Sequence, residues 1–191
     1  MTVKQLIQPD KFKIAILGEG GSGKTTLCKT YDLQKTFLDT KQTIAVDFHV
    51  LTRTIRGREY RLQIWDLAGQ KQFKKMGVFG KYCKGVKGAL ACFDLTDIET
   101  LYTIPEWLSY MEEGLPVILV GTKADLAEAD EFVREEVQKL VETHGIMDYI
   151  ETSALDVKTV EKAFNRLLEG IPDLRAGTPE PKQSEESGSA L

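Results

Sequence analysis

Cysteine is scarce in this chain: Cys28, Cys83 and Cys92 are the only three in 191 residues. Their odd number and wide spacing fit neither a disulfide framework nor a zinc or redox pair, which leaves idle thiols in a reducing compartment. Histidine is scarcer still, with only His49 and His144. Neither has a paired carboxylate or nucleophile in a catalytic pattern, so both are read as surface or packing residues. No apolar run approaches the ~18 residues of a membrane span. The start, MTVKQLIQPD, lacks a basic segment leading into a long hydrophobic one, so a cytoplasmic location is expected. Residue 2 is Thr2 rather than glycine and the last residues, SGSAL, hold no cysteine; no lipid anchor is readable. Basic residues are not in excess, since 25 Lys and Arg face 29 Asp and Glu for a net charge of −4. Without an electropositive field, nucleic acid is not expected as a partner.

What is present describes one ordinary folded domain, with 42% hydrophobic and 28% charged residues. Apolar, β-prone runs at Phe12–Leu17, Ala45–Ile55, Tyr60–Asp66, Ala89–Leu95 and Pro116–Val120, and a weaker one at Met147–Thr152, predict strands. Helix-length segments lie near 98–113, 129–143 and 157–170, and the last carries Val157, Val160, Phe164, Leu167, Leu168 and Ile171 at the spacing of one buried face. Only Arg56-Gly57-Arg58-Glu59 joins two strands without a helix, so strands two and three pair antiparallel and the rest run parallel. The prediction is an α/β fold with a six-stranded, mostly parallel sheet and helices on both faces. Residues 1–10 read as an N-terminal extension and 11–171 as the domain. Residues 172–191, PDLRAGTPEPKQSEESGSAL, read as a disordered tail.

Directly after the first strand stands GEGGSGKT, Gly18 to Thr25. The pattern G-x-x-x-x-G-K-[ST] between a strand and a helix makes a loop whose main-chain N–H groups point at an anion. The helix adds its positive end, Lys24 reaches outer phosphates and the Thr25 hydroxyl ligates Mg²⁺. Gly20, Gly21, Ser22, Gly23 and Thr26 complete the cradle. A second motif, Asp66-Leu67-Ala68-Gly69-Gln70, ends the third strand, at the sheet edge where ligands sit. There Asp66 can hold the metal, Gly69 can bring a main-chain N–H to the terminal phosphate, and Gln70 can orient a water.

GEGGSGKT, TIAVDF, WDLAGQ, GTKAD and ETSAL, in this order, resemble the five signature stretches of Ras-superfamily small GTPases. The likeness to the Rab branch runs from Lys11 to Ile171, and WDLAGQ and GTKAD are also similar to septation-signalling GTPases related to Rabs. The resemblance implies a single P-loop GTPase domain that binds GTP or GDP with Mg²⁺. It implies slow hydrolysis to GDP and phosphate, and signalling in membrane traffic or in cytoskeletal and cell-division control. Thr43 would be the switch I threonine and, with Thr25 and Asp66, a metal ligand. Gln70, Lys24 and Thr43 would be catalytic, and Gly20 would leave room for an activating protein's arginine. Asp125 would accept two hydrogen bonds from guanine, Lys123 would lie along the base plane, and Ser153, Ala154 and Leu155 would meet the guanine carbonyl. An exchange factor, a GTPase-activating protein and effectors are the expected partners of a monomer.

This chain departs from the family pattern at Thr122, where relatives carry asparagine, and at Phe37, six rather than seven residues before Thr43. Threonine keeps an oxygen but loses an amide donor, so guanine selectivity should persist with lowered affinity. Phe37 stands either against the base or in the core of an altered switch I. Lys71, Lys74, Lys75, Lys81, Lys84 and Lys87 read as a solvated face, with a docking surface for an acidic regulator as the other reading. Trp65 and Trp107 read as packing residues, with contact to a partner as the other reading for Trp65. Two other classes stay open: an interaction module that holds GTP with little hydrolysis, and a small-molecule kinase or ATPase, against which Gln70 and Asp125 argue.

Overall fold

The structure, a computed structural model, describes residues 10–34, 46–69 and 79–175. Among these residues six strands form one sheet in the order β2-β3-β1-β4-β5-β6. The strands are β1 (Asp10–Leu17), β2 (Val46–Ile55), β3 (Arg58–Leu67), β4 (Gly88–Asp94), β5 (Val117–Thr122) and β6 (Asp148–Glu151). Only β2 and β3 pair antiparallel; β1 runs parallel to β3 and β4, β4 to β5 and β5 to β6. The connection from β2 to β3 is tighter than the sequence predicts. Arg58 and Glu59 already belong to β3, and the turn is Arg56-Gly57 alone, with φ of 51° and 77°. Two successive left-handed residues make the hairpin turn whose twist matches its strands.

The described helices are α1 (Lys24–Leu33), α2 (Phe79–Cys83), α3 (Glu99–Tyr102), α4 (Ile104–Leu108), α5 (Glu131–His144), α6 (Val157–Gly170) and α7 (Pro172–Arg175). The single helix expected near 98–113 is a correction: two short pieces, α3 and α4, replace it. Pro105 lies at the start of α4, where its missing N–H costs nothing, and it cannot continue a helix from α3. The two long helices carry the end signals of their sequence. Asp130 accepts the Val133 N–H at 2.8 Å at the start of α5, Gly145 closes it with φ 62°, and Asp156 accepts the Lys158 N–H at 3.0 Å at the start of α6. Ile171 is extended and ends α6, and the short helix α7 that follows it buries Leu174 in the same core layer as α6.

Alternation along the strands divides the core into two layers. Phe12, Ile14, Ile16, Leu62, Ile64, Leu90, Cys92, Ile118 and Val120 face α1 and α6. Ala15, Leu17, Leu67, Ala89, Ala91, Phe93 and Leu119 face Phe79, Leu101, Ile104, Trp107 and Val137 from α2 to α5. Between α1 and α6, Tyr31 stacks on Phe164 with ring centroids 3.8 Å apart. The three thiols are free and buried. Burial pushes Cys83 up to about 11 and Cys92 up to about 12, which keeps them protonated and unreactive at neutral pH. No helix among the described residues is long and apolar enough to cross a membrane.

All parallel strands end on the same side, so Leu17, Asp66, Asp94, Thr122 and Glu151 deliver their loops to one edge of the sheet. The Tyr31–Phe164 stack fixes α1, and hence the loop before it, to the far end of the chain. Phe164→Ala is expected to lower stability by about 3–5 kcal/mol, read as a lower urea midpoint with an unchanged slope.

Candidate nucleotide-binding site

The loop after β1 is pressed onto its neighbours by residues that cannot carry side chains. Gly18 has φ 137°, and a Cβ there would collide with the Cys92 carbonyl oxygen on β4. A Cβ on Gly69 would overlap the main chain of Glu19 and Gly20, and the Gly20 N–H donates to the Gly69 carbonyl at 2.9 Å. The end of β3 is thus tied to the loop through backbone alone. Gly23, at φ 77°, begins α1, and no side chain caps the helix there. A helix N-terminus of this kind is where main-chain N–H groups can meet an external anion.

Lys24 is buried and turns back over the loop. Its ammonium donates to the Glu19 carbonyl at 2.7 Å and to Ser22 Oγ at 3.4 Å, while Ser22 Oγ donates to the same carbonyl at 2.8 Å. Burial pulls the Lys24 pKa down, opposed chiefly by Asp66. Asp66 is also buried and accepts a hydrogen bond from the Thr25 hydroxyl. Burial pushes its pKa up, opposed first by that hydrogen bond and then by Lys24. Each shift disfavours the charged form, the sign expected for ions removed from water without full compensation. An anion beside Lys24 and a divalent cation beside Thr25 and Asp66 would reverse both penalties. The residues present therefore fit a phosphate and Mg²⁺: a glycine cradle, a desolvated ammonium, and a hydroxyl and carboxylate of the oxygen chemistry that Mg²⁺ prefers.

A cavity of about 160 Å³ opens beside the start of α1, lined by Gly23, Thr26, Thr122, Lys123, Asp125 and Ala154 among others. The Thr122 hydroxyl sits 3.0 Å from the Ser22 carbonyl and 3.0 Å from the Phe93 carbonyl. Both are acceptors, so its one proton is shared between them and ties β5 to the phosphate loop without a side-chain amide. Lys123 has a left-handed φ of 60°, and its carbonyl accepts the Leu126 N–H at 2.8 Å. Ser153 Oγ donates to Asp125 Oδ1 at 2.6 Å and accepts the Leu155 N–H at 3.0 Å, so the loop after β6 orients the carboxylate.

The structure gathers Gly18, Gly20, Gly21, Ser22, Gly23, Lys24, Thr25, Thr26, Asp66, Gly69, Thr122, Lys123, Asp125, Ser153, Ala154 and Leu155 at this one edge. Thr43, Gln70 and Phe37 lie outside the described residues, as do Lys71, Lys74 and Lys75. Asp94 was not singled out by sequence, yet its carboxylate meets the Lys123 ammonium. The available signal was an aspartate ending the strand beside Thr122. His49 is a correction: its ring nitrogens lie 3.6 Å from Asp32 and 3.7 Å from Asp47, carboxylates on α1 and on its own strand.

A family model described as the Ras family matches residues 13–173. The chain belongs to the Ras family. It is 34% identical over 164 residues to the Ras-related protein RABA2d of Arabidopsis thaliana, covering 84% of this chain and 74% of that protein. To the Ras-related protein Rab-25 of Homo sapiens it is 36% identical over 164 residues, covering 84% and 76%. This Ras-family protein is Rab-like, binds guanine nucleotide and hydrolyses GTP as a small GTPase switch, served by regulators and effectors of that class.

For this GTPase the contact of Gly18 with β4 leaves no room for adjustment, because the colliding atom is main chain. Gly18→Ala is expected to lower stability by about 3 kcal/mol or more and to remove GDP binding detectable by calorimetry.

Proposed function

We propose that the chain is a Mg²⁺-dependent switch whose switch I and switch II surfaces are assembled by the terminal phosphate of GTP and released by its slow hydrolysis. The observation that carries this reading is the buried Lys24 ammonium turned back over a glycine cradle at the start of α1, together with the buried hydrogen bond from Thr25, the next residue, to Asp66 near the end of β3. In it, the first-turn N–H groups of α1 and the Lys24 ammonium bind and orient the phosphates. The hydroxyls of Thr25 and Thr43, with Asp66, would hold Mg²⁺, whose positive charge neutralises charge developing on the transferred phosphoryl group. Gln70 orients the attacking water, and the Gly69 N–H meets the terminal phosphate. Asp125, set by Ser153, accepts from the ring and exocyclic N–H groups of guanine, which adenine does not offer as a pair.

The output is a change of binding surface. On the outer face of β2 and β3, Phe48 and Val50 are exposed and Phe48 packs edge-on to Trp65 at 5.4 Å. Trp65 also contacts Tyr82 at 5.9 Å and lies under the Lys13 ammonium at 3.8 Å. In the chain, β2 directly follows the segment that carries Thr43 and β3 leads into the one that carries Gln70, which supports the use of this apolar face by effectors that distinguish the two nucleotides. The Rab likeness supports a place in membrane traffic. With no arginine of its own assigned to the transition state, intrinsic turnover is expected near ~10⁻⁴ to 10⁻³ s⁻¹, raised up to ~10⁵-fold by a partner's arginine.

Two measurements test the reading. In single-turnover assays with GTP and Mg²⁺, Gln70→Leu is expected to be about tenfold slower or more; an equal rate removes Gln70 from its role. In displacement of a fluorescent guanine nucleotide, GDP is expected to compete and ATP to fail, whereas equal competition overturns the base assignment. Because Thr122 presents no donor to the cavity, Thr122→Asn is expected to slow GDP release about three- to tenfold, the gain of about one hydrogen bond.

A further inference from the structure

The last residue of β4 is a buried carboxylate whose two oxygens do different work. Asp94 is 5% exposed and stands opposite Thr122 in the β4–β5 register. Its Oδ1 accepts the Thr96 N–H at 2.9 Å and the Thr96 hydroxyl at 2.7 Å, which closes the turn after the strand. Its Oδ2 accepts from the Lys123 ammonium. Its own N–H donates to Thr100 Oγ at 2.8 Å, and the Thr100 hydroxyl donates to the Asp97 carbonyl at 2.6 Å. Backbone and side chain of Asp94 are therefore both fixed before Lys123 is considered. The turn is satisfied by Oδ1 alone, and Oδ2 is left for the ammonium.

Lys123 needs such an anchor. Its main chain is set in a left-handed conformation by the loop after β5, but its four-carbon side chain is about one-third exposed. A lysine left to itself loses the rotamer freedom of a long side chain on being ordered. We propose that Asp94 is a positioning residue for nucleotide binding: its Oδ2 holds the Lys123 ammonium in place, so that the lysine stem forms a preordered wall for the guanine base. The proposal rests on the placement of Lys123 in the base cavity. It assigns to Asp94 no contact with the nucleotide. It also explains why this strand ends in a buried charge, since a carboxylate at this depth is costly unless a cation meets it.

The test is the rate at which bound fluorescent GDP leaves the full chain in Mg²⁺ buffer. Asp94→Asn keeps an acceptor for Thr96 but has too few acceptor oxygens for Lys123 as well, and it is expected to release GDP about tenfold faster, the cost of ordering an unanchored lysine side chain on binding. Lys123→Met is expected to do the same, and the double variant to be no faster than Lys123→Met alone, because both remove one interaction. Thr96→Val, which weakens the turn on Oδ1 but leaves the ion pair, is expected to release GDP at about the parent rate. Parent-like release from Asp94→Asn beside fast release from Lys123→Met overturns the proposal, as does full additivity in the double variant. A Thr96→Val effect equal to that of Asp94→Asn also overturns it, by reducing Asp94 to a turn residue. Parent-like release from Lys123→Met overturns instead the placement of Lys123, and the proposal with it.

Discussion

A lysine ammonium at the start of α1 and an aspartate carboxylate near the end of β3, both taken out of water, are the constraint around which this molecule is arranged. Each loses hydration, and the Glu19 carbonyl, the Ser22 hydroxyl and the Thr25 hydroxyl restore only part of it. Such an arrangement survives because β4, β5 and the second half of β1 beneath it are buried, braced by α1 and α6 on one side and by α2 to α5 on the other. A ligand carrying negative phosphates and a divalent cation then completes the solvation that folding removed. Binding energy and fold stability are thus coupled at the same few atoms.

The base end works by different means. There the cavity walls come from loops after β5 and β6, and their shape is set by hydrogen bonds of hydroxyls to fixed groups: Thr122 to two carbonyls, Ser153 to Asp125, Thr159 to the Ser153 carbonyl at 3.3 Å. Each of these ties is made by a neutral hydroxyl, although the charged pair of Asp94 and Lys123 stands beside them. The replacement of an amide by Thr122 illustrates it. A single hydroxyl retains the tie to the Ser22 carbonyl while giving up the donors that an amide would turn toward a base.

Much of this was legible in the sequence, and for a physical reason. Strand periodicity, the glycine spacing of the phosphate loop and the order of the motifs are local properties, and the sheet topology follows from which segments lack an intervening helix. What escaped was determined by contacts between distant segments. Pro105 broke a periodic stretch that looked like one helix, because a missing N–H outweighs an apolar pattern. Asp94 looked like an ordinary strand end, because its partner is brought beside it only by the β4–β5 register. His49 lies between carboxylates on two elements, of which only Asp47 is near in the chain.

The bond between the Gly20 amide and the Gly69 carbonyl has a consequence for how occupancy is reported. One amide proton serves one strong acceptor at a time, so an oxyanion that took the Gly20 N–H would release the Gly69 carbonyl. At that point the phosphate loop and the chain just past β3 meet main chain to main chain.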